Sequence, residues 1–170
     1  MAALDLWTAL DALRDLMETF VPSGFASIGY VRIGRQDMRN EANWRALLVT
    51  GNTPRTLWEV FCDGETVVDS SVGGHEVRID PAFRIEAWRL RTDTTSEAER
   101  QASYTLFHDV LKKLNKYQNR RLGTAQAGIT QQVWSMSLPQ NQAESRAGVL
   151  HYRATYKGTL LNQPQESTGF

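Results

Sequence analysis

The sequence predicts an α+β domain. Its centre is a mostly antiparallel β-sheet, with an N-terminal helix and a second long helix packed on it, plus an extended β-hairpin. Three observations predict this. Residues 4–20 carry one apolar stripe at helical spacing. Residues 97–119 follow a helix-start signature and repeat the same spacing. Between and after them lie β-rich runs broken by glycine turns.

In the first helix Leu6, Leu10, Leu13, Met17 and Phe20 recur at three- and four-residue steps. Pro22, Ser23 and Gly24 stop it. Residues 25–33 have β character through Ile28, Tyr30 and Val31, and 35–43 read as an exposed loop. Trp44 to Thr50 reads as a buried strand before the turn Gly51-Asn52-Thr53-Pro54. Leu57 to Cys62 and Glu65 to Val68 flank Asp63-Gly64, a hairpin signal. Gly73-Gly74 marks a second turn, and Pro81 is expected to break the segment that begins at His75. From Phe83 to Thr92 the residues alternate. Phe83, Ile85 and Ala87 take one face; Arg84, Glu86 and Trp88 take the other.

Ser96 with Glu99, and Thr94 with Glu97, fit capping boxes for the second helix. Its stripe is Phe107, Val110, Leu111, Leu114 and Tyr117, with Gly123 as terminator. Strands over Gly128–Leu138 and Gly148–Leu160 follow, separated by a polar loop at 139–147. In the latter, Leu150, Tyr152, Ala154 and Tyr156 oppose His151, Arg153 and Thr155. Residues 1–161 are expected to form the domain and 162–170 an exposed tail.

Composition excludes several functions. Lys+Arg and Asp+Glu both number 19, so the formal charge is zero, against the basic excess of a protein that coats nucleic acid. The single cysteine, Cys62, rules out an internal disulfide and cysteine-rich zinc modules. No apolar run exceeds about four residues, far below the ~18 of a membrane span, and the N-terminus lacks a signal peptide's basic region.

Chemistry is sparsely signposted. His75, His108 and His151 are spread along the chain and match no metal motif. Cys62 has no neighbouring base and reads as a small core residue. Phosphate loops and the serine-hydrolase elbow are absent. The acid pairs Asp63/Glu65 and Asp80/Glu86 read as solubilising charges. No catalytic residue, metal or cofactor is assigned. Lys112, Lys113, Lys116, Arg120 and Arg121 concentrate positive charge. They either complete the helix dipole or contact a negative partner. Most of the five tryptophans suit core packing, whereas Trp88 shares its face with charged Arg84 and Glu86.

One stretch has a familiar order. The strand Phe83-Arg-Ile-Glu-Ala-Trp-Arg-Leu is followed by the polar turn Asp93-Thr-Thr-Ser-Glu and the helix 97–119. A strand pair then ends in Tyr152-Arg153-Ala154-Thr155-Tyr156. With the N-terminal amphipathic helix, this layout resembles the tail terminator, or tail-completion, proteins of long-tailed bacteriophages. The resemblance implies a structural virion protein of the tail and neck, made in the host cytoplasm. It implies a homo-oligomeric ring, commonly a hexamer, at the head-proximal end of the tail tube. Such a ring ends tube growth, meets the head connector or stopper protein, and lets genomic DNA pass without gripping it. On this reading Arg84, Glu86 and Trp88, on an exposed strand face, and Asp63, Gly64 and Glu65, at a hairpin tip, form the subunit interface. Lys112, Lys113, Lys116, Arg120 and Arg121 meet an acidic neighbour. A tail tube or head-completion subunit is the alternative within the same assembly. A small α+β enzyme is the alternative from another class, and it predicts a deep pocket of convergent polar groups.

Overall fold

The computed structural model describes residues 6–34, 46, 48–50, 53–70, 76–90, 97–117, 128–129, 135–137, 144–146, 149–161 and 165–166. The fold is α+β: a mixed, mostly antiparallel sheet carries the N-terminal helix and a later helix on one face.

Helix α1 (Leu6–Glu18) forms where the apolar stripe predicts it. Leu10, Leu13 and Met17 are buried, as is Phe20 just beyond. The Thr19 hydroxyl donates to the Leu16 carbonyl at 2.6 Å, and Gly24 takes φ +80° in the turn that follows. Strand β1 (Tyr30–Ile33) then pairs in parallel with β4 (Thr56–Ser70), Val31 opposite Trp58. Gly29 permits this approach: it has φ +114°, and a Cβ there would lie 2.2 Å from the Thr56 carbonyl oxygen. The expected strand at 44–50 shrinks to β2 (Val49–Thr50), because the chain turns at once and pairs with β3 (Thr53–Pro54).

Strand β5 (Glu76–Leu90) runs antiparallel to β4 over almost its whole length. Two expectations are corrected here. Asp63-Gly64 is not a hairpin tip. Cys62 faces Phe83 and Gly64 faces Ala82, so Asp63 is the extra residue of a β-bulge, and Gly64 has φ +142°. A turn at Asp63 would leave only a short ladder, whereas the extended path lets Thr66 to Ser70 pair with Val77 to Asp80. Pro81 does not break β5. At Pro81 the ladder to β4 continues, while pairing with β9 (Val149–Leu161) begins only at Ala82. A residue lacking an N–H is tolerated where one edge is open.

Helix α2 (Glu97–Lys116) buries Ser103, Leu106, Phe107, Val110 and Leu114. Leu111 and Tyr117, expected in the stripe, are half-buried at its margin. The proposed caps Thr94 and Ser96, the last expected residues to Asn119, and Gly123 lie outside the described residues. Strand β9 pairs with β5 on one side; on the other lie β6 (Gly128–Ile129), β7 (Ser135–Ser137) and β8 (Glu144–Arg146). The single strand expected at 128–138 is thus two short ones, and β8 falls within the expected loop. The expected tail holds β10 (Gln165–Glu166), which pairs with β5 at Val77 and Glu76.

The main core lies between this sheet face and the helices. Trp58, Val60, Phe83, Ile85, Ala87, Tyr152, Ala154 and Tyr156 come from the sheet. Trp58 is fully buried, and its Nε1 donates to the Ile28 carbonyl at 2.7 Å. The Tyr156 hydroxyl donates to the Phe107 carbonyl at 2.7 Å, tying β9 to the middle of α2.

Burial raises the Tyr156 phenol well above its ordinary pKa of 10.0. The unfolded chain ionises this group from about pH 10 upward, while the folded protein holds the proton. The stability present below pH 10 is therefore lost as pH climbs toward the folded pKa, by up to about 1.4 kcal/mol per pH unit. Tyr156→Phe is expected to flatten that decline, at a pH-independent cost of about 1 kcal/mol for the lost bond. Urea melts of both proteins from about pH 8 to about pH 11 check this.

Candidate functional site

The sheet face turned away from the helices carries the charges. Alternation places Leu57, Glu59 and Phe61 of β4 there, with Arg84, Glu86, Trp88 and Leu90 of β5, Arg153 of β9 and Arg32 of β1. The register sets Glu59 opposite Glu86, an arrangement that repels unless cations intervene. Arginines supply them on both sides. Arg32 Nε donates to Glu59 Oε1 at 3.0 Å, and a second guanidinium nitrogen reaches the same oxygen. Arg153 Nη2 contacts Glu86 Oε1 at 3.1 Å, and Arg84 contacts that oxygen as well. Arg84 Nε also bridges both Asp63 oxygens, at 3.0 and 3.1 Å. Three guanidiniums thus meet three carboxylates.

Aromatic rings lie beneath the cations. Arg84 stacks on Phe61 with its guanidinium carbon 4.4 Å from the ring centre, and Arg153 on Trp88 at 4.6 Å. Trp88 packs with Leu48 and Leu57 in a small second core, with Leu90 at its edge.

The structure therefore joins Asp63, Arg84 and Glu86 in one network and sets Trp88 beside it through Arg153. Gly64 supplies the bulge that admits Asp63. Glu65 follows it on β4, opposite Pro81. The expected exposed face is corrected: Trp88 is 5% exposed and Glu86 9%. Leu48, just before β2, covers the tryptophan, a contact that strand alternation alone does not encode. Trp88→Ala is accordingly expected to cost about 3 kcal/mol of monomer stability, read by thermal melting.

The sequence reading missed Glu59, Arg32 and Arg153. The signal was present for Glu59: a carboxylate inside the apolar run Leu57 to Cys62 needs a buried partner. Trp7 was grouped with core tryptophans but is 61% exposed. With Tyr30, 40% exposed, it borders a cavity of about 800 Å³ along consecutive residues of β1.

Lys112, Lys113 and Lys116 lie exposed on the last turns of α2; Arg120 and Arg121 lie outside the described residues. Lys112 sits 3.9 Å from Asp109. Elsewhere, burial lowers the Arg89 guanidinium from its ordinary value, and its Nη1 donates to the Thr56 hydroxyl at 3.3 Å. Cys62 is half-buried and His108 exposed. Among the described residues no group of three His, Cys, Asp or Glu side chains is placed to hold a metal ion. No helix among them is long and apolar enough to cross a membrane. A network of carboxylates already held by guanidiniums fixes the register of β1, β4, β5 and β9; it has the chemistry of a brace. No protein-family model matches the chain, and no curated protein matches it.

Proposed function

We propose that the chain is a ring-forming structural subunit that caps the head-proximal end of a bacteriophage tail tube and joins it to the head connector. The element order from Phe83 to Tyr156 supports this reading. The observation that carries it is the bare sheet edge. Strand β1 has a neighbour on one side only among the described residues, and it covers β4 only from Leu57 to Val60. The β4 backbone from Phe61 to Ser70 therefore presents an edge that an isolated monomer leaves as an aggregation liability. Neighbouring copies in a closed ring would cover it. The braced, charge-balanced face keeps the sheet rigid while its edge is engaged.

The purified protein is expected to sediment as a closed oligomer and to appear as rings in electron micrographs. Mixed with tube subunits, the rings are expected at tube ends. Polymers without a fixed length would assign it to the tube instead. A monomer that never attaches to tube ends would overturn the proposal.

A further inference from the structure

The zero net charge conceals two opposite poles. Residues 110–121 hold Lys112, Lys113, Lys116, Arg120 and Arg121 and no acid. The β4–β5 ladder beyond the bulge holds Glu65, Asp69, Glu76 and Asp80 against Arg78 alone. The first pole borders a groove of about 580 Å³ between the end of α1 and the last turns of α2. Val21 and Ser23 wall one side; Asp109, Lys112, Lys113 and Lys116 wall the other. The Ser23 backbone N–H donates to Asp109 Oδ2 at 3.3 Å and pins the walls together. Val21 is 64% exposed, an apolar surface beside three ammonium groups.

We propose that this groove receives the outer β4–β5 ladder of a second copy of the chain. The inference rests on the ring reading and names the contact that builds the ring. The ladder continues from Gly64 opposite Ala82 to Ser70 opposite Val77, about 20 Å of paired strand. Within it Val67 faces Ile79, flanked by the acids. An apolar wall with a cationic rim complements an apolar strand pair with acidic flanks. Each copy holds one groove and one ladder, so the contact is head-to-tail, and only closure leaves neither pole unused. Opposite poles also steer the encounter, which makes assembly sensitive to salt.

Charge exchange tests this in the full chain. One variant reverses the groove (Lys112→Glu, Lys113→Glu, Lys116→Glu), a second reverses the ladder (Glu65→Lys, Asp69→Lys, Glu76→Lys), and a third carries both sets. Sedimentation is followed at about 50 and about 500 mM NaCl, with circular dichroism to confirm that each monomer folds. Each single reversal is expected to raise the dissociation constant about tenfold or more. The combined variant, and an equimolar mixture of the two single reversals, are expected to recover assembly. If wild type forms rings and the reversals do too, this contact is wrong and the ring reading stands. Folded reversals that lose assembly but do not recover in combination or in mixture also overturn the contact. If wild type stays monomeric at every concentration, the ring reading falls, and this inference falls with it.

Discussion

Arg32→Ala is expected to remove about 3 kcal/mol of folding stability, far more than loss of a surface ion pair. The reason is the setting of its partner. The Glu59 side chain is 2% exposed, in mid-strand, with Glu86 across the ladder. Removing the guanidinium leaves a carboxylate that has given up its water and faces a like charge. The double variant Arg32→Met/Glu59→Leu removes both charges and keeps the volume. It is expected to regain most of the loss, because apolar replacement of a buried pair is close to neutral. Urea denaturation of the three proteins decides it. A loss below about 1 kcal/mol in Arg32→Ala would mean that the pair behaves as a solvent-screened one.

Trp58→Ala is expected to have the largest effect on the main core, about 4 kcal/mol. The indole is enclosed between sheet and helices, with Phe107 edge-on at 6.0 Å and Tyr156 at 5.8 Å. Truncation opens a cavity where the two helices and β4 meet and orphans the Ile28 carbonyl. Trp58→Phe keeps much of the volume but loses the bond, so about half that cost is expected. Because Trp58 and Tyr156 touch, Trp58→Phe/Tyr156→Phe should depart from additivity, and a double-mutant cycle from urea melts measures by how much. Loss of less than about 2 kcal/mol in Trp58→Ala would show that the core collapses around the site.

Both helices were legible because amphipathic spacing is a local signal: Leu10, Leu13 and Met17 bury where their period puts them. The alternation of β5 was equally legible for Phe83, Ile85 and Ala87. What failed depended on partners distant in sequence. Asp63-Gly64 has the local chemistry of a turn, yet Arg84, on the neighbouring strand, takes its carboxylate and the ladder continues. Arg84, Glu86 and Trp88 alternate as an exposed face should, but Leu48 and Arg153 come from elsewhere in the chain to cover them. Of the site, Asp63, Arg84, Glu86 and Trp88 were found from polarity on one strand face. Arg32 and Glu59 were not, because each is read as a neighbour in sequence and meets its partner only across β1 and β4.

The central position of β5 has a cost during synthesis. Its first partner, β4, precedes it directly, but its second, β9, begins at Val149. A ribosome adding roughly 5–20 residues each second needs several seconds to span that gap. Throughout that interval the nascent ribbon shows one naked flank to the cytosol, and other nascent chains on the same messenger show the same flank. Slow translation through residues 91–148 should therefore raise the yield of insoluble product, and a holdase chaperone acting in that window should restore it.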